Sequence, residues 1–87
     1  MKYIVFKGNG LLHPVVFGEH TSHSQIKVEG AEPVSAGFVH FNSLGDPYCT
    51  GKSDSLKLES NPERDTDLIR HMMEEFGTMF FIADIYD

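Results

Sequence analysis

Lys2–Phe17, KYIVFKGNGLLHPVVF, sets two apolar runs on either side of Gly8-Asn9-Gly10. Lys2–Lys7 is rich in β-branched and aromatic side chains and apolar on both alternating faces, the pattern of an interior strand. The cluster Gly8-Asn9-Gly10 tolerates positive φ and reads as a tight hairpin turn, after which Leu11–Phe17 returns antiparallel. Pro14 has no backbone donor, which places the returning strand at a sheet edge or puts a bulge at that residue. The fold therefore starts as an antiparallel sheet.

Working outward, Gly18–Ser24 is polar and turn-like. Thr21-Ser22-His23-Ser24 offers hydroxyl caps for a short helix near residues 22–29 that Gly30 would stop, although Gln25–Glu29 also alternates like a strand. Pro33–Asn42 reads as a third strand, with Val34, Phe38 and His40 on one face and Val39 and Phe41 on the other. Gly37 inside it marks a bulge or a close neighbour. After a turn at Ser43–Pro47, Tyr48–Thr50 and Ser55–Glu59 read as short strands separated by Gly51–Asp54, the second half-buried through Leu56 and Leu58.

The main helix is expected from Pro62 to about Phe76. Asn61 followed by Pro62 supplies an N-cap and a pre-set first helical position, and Ser60 with Glu63 fits a capping box. Glu63, Asp65 and Asp67 sit where the helix dipole favours negative charge. Leu68, Ile69, Met72, Met73 and Phe76 fall within an arc of about 140° at about 100° per residue, one core-facing stripe. Gly77 supplies a stop, and Thr78–Ile85 reads as a last strand with Met79, Phe81, Ala83 and Ile85 on one face. The expected fold is α+β: an antiparallel sheet of four to five strands with one helix, about 62–76, packed on one face, in a single small domain spanning 1–87.

Length and composition bound the function. Of 87 residues, 24 are Leu, Ile, Val or Phe, enough for one thin core and too few residues for a doubly wound nucleotide fold or a multidomain enzyme. No apolar stretch approaches the roughly 18 residues of a membrane span, and Met1-Lys2-Tyr3-Ile4 enters strand-like sequence without a signal peptide pattern, which points to a cytoplasmic protein. The single cysteine, Cys49, fits a reducing compartment. The net charge of −6 gathers in residues 59–87, where eight acids face only Arg64 and Arg70, while residues 1–58 balance five acids with five lysines. Such a chain repels nucleic acid phosphates and anionic membranes and attracts a basic protein surface.

Several motifs invite catalytic readings. Gly45–Ser53 ends in Gly-Lys-Ser, but five residues separate the glycines where a phosphate loop needs four, and a strand rather than a helix is expected next. Glu19, His20 and His23 combine carboxylate and imidazole groups that bind zinc, with Cys49 or His40 needed to complete a site. A small metal-dependent or cysteine-based enzyme using Glu19, His20, His23 and Cys49 is therefore the catalytic alternative. The plainer readings are a solvated loop for the histidine pair, a small core residue for Cys49, a buried hydrogen bond for His40 and an exposed edge position for His13. On those readings no metal or cofactor is expected.

Opposite the apolar stripe lie Glu63, Asp67, Arg70 and Glu74, with His71 on the flank. At three- and four-residue spacing Asp67 reaches Arg70 or His71, and Arg70 reaches Glu74. This is either an ordinary solvated helix face or a surface that meets lysine and arginine on a partner. Tyr3, Phe6, Phe17, Phe38, Phe41, Phe80, Phe81 and Tyr86 exceed what one helix covers, so a sheet face is available for a second subunit in a homodimer.

At Lys2–Phe6 (KYIVF), Ser35–Val39 (SAGFV), Gly51–Leu58 (GKSDSLKL) and Asn61-Pro62-Glu63 the chain resembles small uncharacterised proteins encoded by bacteriophages and prophages. The resemblance implies an intracellular accessory protein of a mobile element that acts by binding a host component, and with the acidic helix face the favoured expectation is a non-enzymatic protein that binds a basic host surface. Small acidic anti-CRISPR inhibitors in that group block nucleic-acid-handling machinery by occupying a basic surface. A structural or assembly protein of a virion is the third class of function.

Overall fold

The computed structural model describes residues 1–76. β1 (Lys2–Gly8) pairs antiparallel with β2 (Leu11–Phe17) on one side and β3 (Glu32–Phe41) on the other. β4 (Pro47–Thr50) adds to β3, giving a four-stranded sheet in the order β2-β1-β3-β4. Asn9 and Gly10 carry φ of 55° and 75°, the left-handed pair that a two-residue turn needs to match the twist of its strands.

β2 is an edge strand as its proline requires, and Pro14 faces Val5 with the register unbroken. The bulge lies on the other side of β1. There Val5 faces Ser35 and Phe6 faces Pro33, leaving Val34 as an extra residue beside a proline with no N–H for the ladder. The bulge sends Val34 to the cluster of Val39, away from the Phe38 and His40 face that unbroken alternation predicts.

The two faces of β1 each feed an apolar cluster, as its double-sided pattern requires. Tyr3, Val5, Val16, Val39 and Cys49 pack beneath α1 (Pro62–Phe76), whose Ile69 is fully buried among them, with Leu68 and Met73 at the margin. Ile4, Phe6, Phe17 and Ala36 form the second cluster on the opposite face.

That second face is covered from within the chain, by Ile26 and Ala31 of the 18–31 connection and by Leu56 and Leu58. Of the aromatics counted as surplus, Tyr3, Phe6 and Phe17 are buried within the chain, Phe38 is half-buried and Phe41 is exposed, while Phe80, Phe81 and Tyr86 lie outside the described residues. Leu56 and Leu58 belong to a small ribbon of β5 (Lys52–Ser53) and β6 (Leu58–Glu59), not to one strand over Ser55–Glu59. Lys57 adopts a φ of 57°, which turns the chain and ends the alternation.

The short helix expected near 22–29 contracts to one 3-10 turn, His23–Gln25. The Gln25 side chain accepts from the Ser22 N–H at 2.8 Å, closing the first turn, and Ile26 then leaves in extended conformation to reach the second cluster. Gly37 marks a close neighbour: a Cβ there would strike the carbonyl oxygen of Thr50. The expected stop at Gly77 and strand Thr78–Ile85 lie outside the described residues.

Candidate functional site

The start of α1 is held from below. Asp65 is fully buried. Its Oδ2 accepts from the Tyr3 hydroxyl at 2.5 Å and from the Asn61 N–H at 2.9 Å, while Oδ1 accepts from Arg64 Nε at 3.1 Å and pairs with the charge on Nη2, also at 3.1 Å. Arg64 Nη2 also donates to Ser35 Oγ at 2.9 Å. The reciprocal capping contact expected of Glu63 is thus made by Asp65, which receives the Asn61 N–H while its own N–H bonds the Asn61 carbonyl. Three hydrogen bonds and the Arg64 charge offset the cost of burying a carboxylate. A second tie joins α1 to β4, where the Cys49 N–H donates to Thr66 Oγ1 at 3.0 Å.

So anchored, the helix turns Glu63, Asp67, Arg70 and Glu74 to solvent, all exposed and all on one side at helical spacing. Of the pairings that spacing permits, Arg70 Nη1 donates to Asp67 Oδ1 at 2.7 Å. The pair is mostly exposed, so it neutralises one acid locally without adding much to stability. Beside this face runs a groove of about 330 Å³ between α1 and β2, floored by Leu12, Pro14, Leu68 and Met72 and edged by Arg64, Asp67 and His71. Sequence reasoning did not bring β2 next to this helix face; the strand order does.

The residues of the catalytic alternative are divided between the two faces of the sheet. Cys49 is buried in the cluster under α1, and burial pushes its thiol up to about 11, far from a reactive thiolate at neutral pH. His23 is buried on the opposite side, its ring edge-on to Phe17 and Phe38 at 5.5 and 5.8 Å. His23 Nε2–H donates to the Gly37 carbonyl at 2.9 Å. Glu19 and His20 are exposed. The expectation of a solvated histidine pair holds for His20 and fails for His23, because two strands supply an aromatic slot that the loop's own sequence does not reveal. Among the described residues no three His, Cys, Asp or Glu side chains converge as a metal site.

His40, read as a buried hydrogen-bonding residue, is exposed. It stacks on Tyr48 at 5.1 Å and hydrogen-bonds Thr50 Oγ1 at 3.2 Å. His13 is exposed on the edge strand, as expected. Lys52 and Ser53 of the Gly51-Lys52-Ser53 stretch form β5 itself, so no helix N-terminus follows that could cradle a phosphate. No helix among the described residues is long and apolar enough to cross a membrane. Comparison with family models, curated proteins and solved structures finds no match to this chain.

Proposed function

We propose that the protein is a non-enzymatic accessory protein of the phage or mobile-element type, which captures a basic surface of a host protein with the exposed face of α1. The observation that supports this reading is the alignment of Glu63, Asp67 and Glu74 on one solvent-facing side of a helix whose position is set by buried bonds. Asp65, the one acid of the first turns that is withdrawn from this face, is used to anchor it. Because the helix backbone is fixed, its exposed carboxylates can meet lysine or arginine without the cost of ordering the segment that carries them. The mechanism is steric and electrostatic competition with an anionic ligand of the host protein, the mode of an anti-CRISPR-like inhibitor. The partner is intracellular and proteinaceous.

The test reverses Glu63, Asp67 and Glu74 to lysine together. These exposed side chains leave the core untouched, so circular dichroism and the thermal midpoint should stay close to wild type while capture of the partner from a host lysate is lost. Capture of the same partner by the folded triple variant excludes this face. Association should also weaken as salt rises, because screening shortens from about 10 Å at 0.1 M to about 3 Å at 1 M ionic strength. Recovery of the chain in purified particles would replace the inhibitor reading with a virion assembly role.

A further inference from the structure

We infer that His23 is a pH-sensitive latch, holding the 18–31 connection over the second apolar face while its ring is neutral and releasing that connection when the ring is protonated. The latch is built from three strands. β2 contributes Phe17, β3 contributes Phe38 and the Gly37 carbonyl, and β1 contributes Lys2, whose Nζ donates to the Thr21 carbonyl at 3.0 Å. With Nε2–H committed to Gly37, a second proton must enter at Nδ1 and place a full charge in this aromatic slot.

Lys2 is the charged group that acts on the ring, and its sign repels an imidazolium; Phe17, Phe38 and Gly37 bring no titratable group. On the connection itself Glu19, His20, Lys27 and Glu29 are exposed. Burial holds His23 below its ordinary value, opposed in part by the Gly37 bond and helped to a smaller extent by Lys2.

The connection can lift and fray without disturbing the sheet, because isolated turns do not hold their bonds once their apolar cover is lost. Its backbone bonds are internal, from Gln25 to Ser22, Ile26 to His23 and Ala31 to Val28, so its departure breaks no ladder of the sheet. What departure uncovers is apolar: Phe6, Phe17 and Ala36 lose the cover of Ile26, next to an existing cleft of about 540 Å³ between Phe6, Ile26, Pro33 and Leu56. A released His23 titrates near 6.5, so the open form gains wherever pH falls below that value and the closed ring stays neutral.

Amide hydrogen exchange on the whole chain tests this. Protection factors at Gln25, Ile26 and Ala31 should fall between pH 7.5 and 5.5 by up to about tenfold, the limit reached when the closed ring stays neutral throughout and the released ring titrates near 6.5. Those of Asp65 in α1 and of β1 should stay level. His23→Gln, whose amide can donate to Gly37 without titrating, should abolish the pH dependence. The latch is overturned if wild-type protection in the connection is level across that range, if it falls equally in His23→Gln, or if α1 loses protection in parallel. Should His23→Gln fail to fold, the ring of wild-type His23 is titrated by NMR: its midpoint must lie below the ordinary 6.5, with exchange in the connection rising between the two, and a midpoint at or above 6.5 rejects the latch.

Discussion

The Tyr3 hydroxyl donates to Asp65 Oδ2 at 2.5 Å, bonding the central strand to the helix across 62 residues of sequence. Both groups are fully buried, so neither can replace the other with water. Asp65→Ala strands the Tyr3 hydroxyl and the Asn61 N–H and should cost about 3–5 kcal/mol in urea unfolding. Tyr3→Phe removes one of the three hydrogen bonds to Asp65 and should cost about 1–3 kcal/mol. In a double-mutant cycle the two losses should fall short of additivity by at least about 0.5 kcal/mol; full additivity would mean that the contact carries no coupling.

Alkaline pH should weaken the fold in a defined window. Burial raises both Cys49, to about 11, and Tyr3, whose ionisation the Asp65 carboxylate opposes further. Each keeps its proton longer in the native state than in the unfolded chain, so above about pH 9 the unfolded chain binds fewer protons and stability falls as pH rises. Below that point both contributions are complete. Denaturant midpoints should be flat from pH 7 to about 8.5 and decline towards pH 11, and a thiol reagent at pH 7.5 should modify Cys49 only after unfolding.

Gly37 admits no side chain. A methyl group there meets the Thr50 carbonyl oxygen and lies 3.3 Å from Ser60 Cβ, with backbone on one side that cannot swing away. Gly37→Ala should destabilise by about 1–3 kcal/mol. It should also disturb the His23 bond to the adjacent carbonyl, visible as a changed His23 ring shift in NMR.

Lys57 offers the opposite case. Its φ of 57° is a left-handed conformation that a Cβ opposes, and its side chain is exposed. Lys57→Gly should stabilise by about 0.5–1 kcal/mol, and unchanged or lowered stability would show that the turn between β5 and β6 is not strained.

What the sequence reveals depends on how far each residue's partners lie along the chain. The Lys2–Phe17 hairpin and the Pro62–Phe76 helix are legible because turn residues, caps and periodicity are local. Asp65 was half legible: at about 100° per residue it falls in the middle of the Leu68–Met73 stripe, a carboxylate where the core begins. The helix dipole accounts equally well for an acid in the first turns, and only the approach of Tyr3 from β1 separates the two explanations. His23 was misread for the same reason, since Phe17 and Phe38 enclose its ring from two strands. Of the candidate partner-binding residues, the shared face of Glu63, Asp67, Arg70 and Glu74 follows from helical spacing alone, whereas the groove beside it needs the strand order.

Strand order also dictates a timetable. β1 lies between β2, its hairpin neighbour, and β3, which arrives only after the 18–31 connection. Closing the short loop first carries the smaller entropic cost, so the hairpin's inner edge serves as the template on which β3 docks, and β4 can only follow β3. Pulse-labelled refolding should protect β1–β2 amides before those of β4, with α1 locking last, once Tyr3 is in place to receive it.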